Sequence, residues 1–125
     1  MVKITTNPTQ YSPLVLAYIG DAVFEIYVRQ MLVEQGNMRV DMLHKKATEY
    51  VKSSAQSASY KKIESNLTEE ETAIFKRGRN AKSIPPKNAD AAEYHTATGL
   101  EALIGYLYLC GDIKRLDEIM NMILN

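Results

Sequence analysis

The chain has 125 residues, 46% of them hydrophobic, and its 15 basic and 15 acidic side chains give a formal net charge of zero. That length fits one domain over residues 1–125, with enough apolar surface to build a core unaided. A single cysteine, Cys110, excludes an intrachain disulfide framework and suits a reducing, cytoplasmic setting; no signal-peptide core or membrane-length apolar run is present, so no membrane partner is expected.

Residues 1–11 are polar and read as flexible or loosely docked. Ser12-Pro13 is a helix start, with serine as cap and proline in the first turn. The first helix runs to about Gln35 and stops at Gly36-Asn37. Its apolar positions, among them Leu14, Val15, Leu16, Tyr18, Ile19, Val23, Phe24, Ile26, Met31 and Leu32, make more than one stripe, so the helix is central or shared with a partner subunit. Asp41 is placed to cap a second helix over 42–51. A third spans 53–63, where Ser-Ala-Gln-Ser-Ala-Ser allows close helix approach. Thr68-Glu69-Glu70-Glu71 is a capping box with acids in the first turn, and that helix ends near Gly78. Gly78, Pro85 and Pro86 predict a loop over 77–87. Asn88 or Asp90 starts a fifth helix that runs to about Cys110, which is read as a small core residue. Gly111-Asp112 breaks it, and a last helix covers 113–124. With no period-2 strand and no internal repeat, the fold class is all-α, a bundle of five or six helices.

Two features stand out chemically. Asp21 follows Gly20 inside an apolar run, where a carboxylate needs water, a hydrogen bond, a counter-charge or a cation. Spacing leaves open whether it sits at the wet edge of the buried stripe or at a site. Between Lys76 and Lys87 there are five basic residues (Lys76, Arg77, Arg79, Lys82, Lys87) and no acidic one, just after Glu69–Glu71. Such segregation makes a basic surface on a neutral protein. Its arginines are suited to phosphate, or to pairing with Glu69–Glu71. His44 and His95 have no partners at zinc-ligand spacing.

Leu16-Ala17-Tyr18-Ile19-Gly20-Asp21-Ala22-Val23-Phe24-Glu25 resembles the ribonuclease III signature, an apolar helix presenting an acidic metal ligand. Gly99-Leu100-Glu101-Ala102-Leu103-Ile104-Gly105-Tyr106-Leu107-Tyr108-Leu109 resembles the second acidic motif of that family. The two motifs come in the family's order, the resemblance covers about 13–124, and the short chain points to the compact subfamily Mini-ribonuclease III, which has no double-stranded-RNA-binding domain. The resemblance implies the ribonuclease III endonuclease helical bundle, with Asp21 and Glu101 as catalytic metal ligands for Mg2+. It implies hydrolysis of double-stranded RNA to 5′-phosphate and 3′-hydroxyl ends in maturation of the large-subunit (23S) ribosomal RNA precursor, by a homodimer. Beside an acidic metal site, Arg77, Arg79, Asn80 and Lys82 read as a glycine-hinged RNA clamp, since duplex RNA is recognised through phosphates, 2′-hydroxyls and shape.

The chain departs from larger members of the family. Leu14, Ala17 and Thr98 stand where those carry further acids, so the site is a reduced one. Thr98 reads as an ordinary helix-face threonine rather than a holder of metal-bound water. Glu25 reads as a salt-bridge partner of Arg29, and His95 is a lesser candidate for the site. The reduced acid set also fits a catalytically silent, ribosome-associated RNA-binding domain. A helical protein-interaction module with a merely structural Asp21 is the alternative from another class.

Overall fold

The structure, a computed structural model, describes residues 5–125. Six α-helices follow in order: α1 (Pro13–Gln35), α2 (Val40–Val51), α3 (Ser53–Ile63), α4 (Glu69–Arg79), α5 (Ala91–Leu109) and α6 (Ile113–Leu124), with 3-10 turns at Pro8–Gln10 and Glu64–Asn66 and no strand among the described residues. Local chemistry sets most boundaries. Ser12 Oγ accepts from the Val15 amide at the start of α1. At α4, Thr68 Oγ1 and the Glu71 carboxylate exchange bonds with each other's backbone amides. Asp90 caps α5 and Asp112 caps α6. Gly111, at φ 73°, turns the chain between them. The amides of Gly111 and Asp112 bond back to Tyr108 and Leu107, the paired closure that a left-handed glycine permits.

The central element is α5, not α1. From Ala97 to Leu107 every residue of α5 is buried except Glu101, which is half-buried. The other long helix, α1, buries one stripe, Leu16, Gly20, Phe24, Val28 and Leu32, with Ala17 beside it. Two glycine contacts let neighbours approach α5. A Cβ on Gly20 would stand 1.7 Å from the Glu101 carbonyl oxygen, and one on Gly105 would stand 1.9 Å from that of Leu16. Here α1 and α5 touch backbone to backbone. One and a half turns earlier, a Cβ on Gly78 would lie 2.9 Å from Gly99 Cα, and one on Gly99 would lie 2.7 Å from the Phe75 ring. The Phe75 ring in turn stacks on Tyr60 of α3 at 3.7 Å.

Three expectations change. Gly78 is not a hinge: α4 continues through it to Arg79, because its missing side chain is needed for helix contact. Asp41 does not cap α2; the helix starts at Val40 with Arg39 at the cap position, and Asp41 pairs with Arg39 at 2.7 Å. Cys110 is exposed rather than core, since it is the C-terminal cap of α5 where that helix leaves the bundle. Within the polar leader, residues 1–4 lie outside the described residues. Thr9 and Tyr11 are held, their carbonyls accepting from Arg77 at 3.4 and 3.1 Å.

Glu71 is buried and grips Arg115 of α6 through two bonds of 2.8 Å. Those bonds, helped by the Thr68 amide, hold its carboxyl below the ordinary glutamate range against the opposing effect of burial. A lowered pKa supplies stability above the unfolded-state value and loses it as pH falls through the folded one. Glu71→Gln is therefore expected to destabilise by about 2 kcal/mol at pH 7, with the gap to wild type closing below about pH 4 in urea titrations. Gly20→Ala or Gly105→Ala is expected to cost about 3 kcal/mol or more. Gly36→Ala, with nothing within 4 Å of the added carbon, should stay within about 0.5 kcal/mol of wild type.

Candidate active site

The glycine contact between α1 and α5 places the acids. Asp21 follows Gly20 in α1, and Glu101 lies one turn before Gly105 in α5. The Asp21 carboxyl stands near enough to Glu101 for its charge and contact to act on it. Asp21 is exposed and Glu101 half-buried, so one member of the pair is open to water and the other only partly so. Burial first, then the charge and contact of Asp21, push the Glu101 carboxyl up to about 8; a hydrogen bond from Gln56 works in the opposite direction. Among the described residues no lysine or arginine forms an ion pair with either acid. Nor does any cluster of three or more His, Cys, Asp or Glu assemble to hold a metal. Two adjoining, unneutralised carboxyl groups, one of them shielded from water, call for a proton or a cation. They fit a divalent ion that keeps most of its own waters, as magnesium does.

Gln56 was not singled out in the sequence. It is 2% exposed in α3, and its Nε2 donates to Glu101 Oε2 at 3.4 Å. The available signal was a long amide at an inward position in a run of serine and alanine. Thr98 donates its hydroxyl to the Tyr94 carbonyl of its own helix at 3.0 Å, as an ordinary helical threonine does. Glu25 pairs with Arg29 at 2.7 Å. His95 Nδ1 is buried, with no hydrogen-bond partner among the described residues.

The expected loop begins only after Arg79: Lys82 and Lys87 lie in it, whereas the arginines do not. Arg77 and Arg79 occupy the last turn of α4 and Asn80 is its C-terminal cap. There they complement the helix dipole, and no pairing with Glu69–Glu71 at the far end of α4 is formed among the described residues. The Arg77 guanidinium is bonded to the Thr9 and Tyr11 carbonyls. Arg79 lies over the Phe75 ring at 5.7 Å and donates to Asn80 Oδ1 at 3.2 Å. Lys82 is exposed. Because Gly78 packs on Thr98, Gly99 and Ala102, this end of α4 sits beside the turn of α5 that carries Glu101.

A raised carboxyl pKa contributes stability below the unfolded-state value that is lost as pH rises through the folded one. In metal-free protein, wild type is therefore expected to lose thermal stability between about pH 4.5 and pH 8. Glu101→Gln, which carries no charge to bury, should be more stable than wild type at pH 8 and indistinguishable near pH 4.5 by calorimetry.

A sequence profile of the ribonuclease III domain matches residues 14–112. The chain is 50% identical to the Mini-ribonuclease 3 of Symbiobacterium thermophilum, over 91% of this chain and 88% of the relative. It is 42% identical to that of Staphylococcus aureus, over 90% and 87%. A crystal structure of a Fusobacterium nucleatum protein superposes with a TM-score of 0.85 at 35% identity, over 96% of this chain and 97% of that one. With both acidic motifs inside the matched span and the helical bundle shared, the chain belongs to the ribonuclease III family, in its Mini-ribonuclease 3 branch.

Proposed function

We propose that this family endoribonuclease cleaves double-stranded RNA with Mg2+ held by Asp21 and Glu101, leaving 5′-phosphate and 3′-hydroxyl ends. The observation that carries the reading is the unneutralised carboxyl pair at the α1–α5 contact. When bound, the ion would neutralise phosphate charge and lower the pKa of a coordinated water. The chain's own part is to hold two carboxylates at fixed spacing, one exposed to the phosphate and one sheltered from competing water. Arg79, Asn80, Lys82 and, on leaving the Thr9 and Tyr11 carbonyls, Arg77 would contact the duplex backbone. The substrate is the 23S ribosomal RNA precursor and the setting the cytoplasm, where no membrane is involved; no helix among the described residues is long and apolar enough to span one.

The working form is a homodimer. Val15, Tyr18, Ile26 and Val33 lie on one exposed face of α1, Tyr18 at 79% and Ile26 at 63% exposure. A groove of about 350 Å³ opens beside them, lined by Ile19, Ala22, Val23, Ile26, Tyr108 and Leu116 among others. Such a contiguous apolar face fits a self-complementary interface. Asp21 adjoins it, so two copies would set two acidic sites across one duplex.

Asp21→Asn and Glu101→Gln are expected to keep helical content and RNA binding while lowering cleavage by about two to three orders of magnitude. Near-wild-type turnover would overturn the assignment, and wild-type binding without Mg2+-dependent cleavage would select a silent RNA-binding domain. Arg79→Ala should weaken duplex RNA binding and flatten its dependence on log salt by about one unit. An unchanged slope in filter-binding or anisotropy titrations would remove Arg79 from the RNA surface.

A further inference from the structure

Few polar side chains are buried in this bundle. Among the described residues they are Gln56, Ser57, Glu71 and Thr98. Glu71 serves the Arg115 pair and Thr98 bonds its own helix. Gln56 has neither explanation. It sits near the middle of α3, where α3 packs against α5, at 2% exposure. Packing alone would be met by methionine or leucine at less cost, because a buried amide must be hydrogen-bonded. The hydrogen bond formed by its side chain among the described residues runs to Glu101 Oε2.

The chemistry of an amide at this position is specific. A lysine or arginine would neutralise the acid pair and compete with a divalent ion. A glutamate would add a third negative charge beside a carboxyl already shielded from water. A glutamine supplies an N–H donor and leaves the charge of the site unchanged. A carboxylate with no fixed partner rotates about its last bond and presents either oxygen. One donor on Oε2 stops that rotation.

We propose that Gln56 is the positioning residue for Glu101: its amide holds Oε2 from the α3 side, so that Oε1 is the oxygen offered to the divalent ion beside Asp21. The inference rests on the reading of Asp21 and Glu101 as the metal-holding pair. It adds a third helix, α3, to the machinery of a site otherwise built by α1 and α5. Partners that orient metal ligands in this way typically matter by about ten- to a hundredfold in metal affinity or activity.

The test is a Mg2+ titration of metal-free wild type, Gln56→Met and Glu101→Gln, followed by calorimetric binding and by the rise in Tm, with helical content checked by circular dichroism. Gln56→Met keeps length and packing and removes the donor. Its Mg2+ midpoint is expected to rise about tenfold, with a matching loss of kcat at fixed Mg2+ and an unchanged KM for duplex RNA. In a Glu101→Gln background the same substitution should have no further effect on the metal response. A wild-type Mg2+ midpoint in folded Gln56→Met overturns the proposal while leaving the acid-pair reading intact. Wild type that binds no Mg2+, or Glu101→Gln that binds it as wild type does, overturns the acid-pair reading and the proposal with it. Should Gln56→Met not fold, Gln56→Asn, which withdraws the amide by one carbon, carries the same expectation and the same reversal.

Discussion

The backbone contact between Gly20 and Gly105 is the constraint on which the rest of the structure depends. Helices normally pack 8–10 Å apart because side chains intervene; here a single added carbon on either glycine would overlap the other helix's carbonyl oxygen. The contact brings two acidic side chains, distant in sequence, to one place, because Asp21 and Glu101 lie one residue and one turn from the two glycines. It also makes α5 the axis of the bundle. Gly99 repeats the device toward α4, so α5 is enclosed by its neighbours over three turns and Glu101 is the one residue of that stretch that retains partial access to water.

An acid pair held this way works against the stability of the empty fold. Burial and the neighbouring Asp21 disfavour ionised Glu101, and only the Gln56 amide favours it from within the protein. Among the described residues no lysine or arginine is paired with either acid, so no internal cation offsets their charge. Elsewhere the bundle handles buried charge in the opposite manner. Glu71 and Arg115 form a closed pair with two parallel bonds, and Arg115 additionally bonds the Asn66 carbonyl and Glu118. Glu71 is satisfied within the chain and serves the fold, whereas Glu101 has no cationic partner among the described residues.

The surfaces around the site follow from the same crossing. Beyond the buried stripe of α1, Val23, Tyr27 and Met31 pack at the edge of the core, and Val15, Tyr18, Ile26 and Val33 are left exposed. Because α4 packs on α5 through Gly78, the basic end of α4 is brought beside the Glu101 turn. The acidic end of α4 is held away, with Glu71 on Arg115 and Glu70 on the Tyr106 hydroxyl. Charge that is segregated along the chain is thereby segregated in space.

Local rules determined much of this protein by themselves. The resemblance of two motifs to ribonuclease III singles out Asp21 and Glu101; beside it, Ser12 and Thr68 mark helix starts by side-chain capping, Asn88 or Asp90 marks the start of α5, and Gly111-Asp112 marks its stop. Those features depend on residues within a turn of one another, so they are written in the sequence. Tertiary structure alone decided what depends on neighbours from elsewhere in the chain. Gly78 reads as a loop hinge but is a helix contact point one residue before the end of α4, because the surface it accommodates belongs to α5. The apolar excess of α1 reads as centrality or as a face shared with a partner; the bundle centres on α5 instead, and α1 leaves Val15, Tyr18, Ile26 and Val33 exposed. Gln56 looks like any amide in a small-residue run, and acquires its role only because Glu101 arrives opposite it when α3 closes on α5.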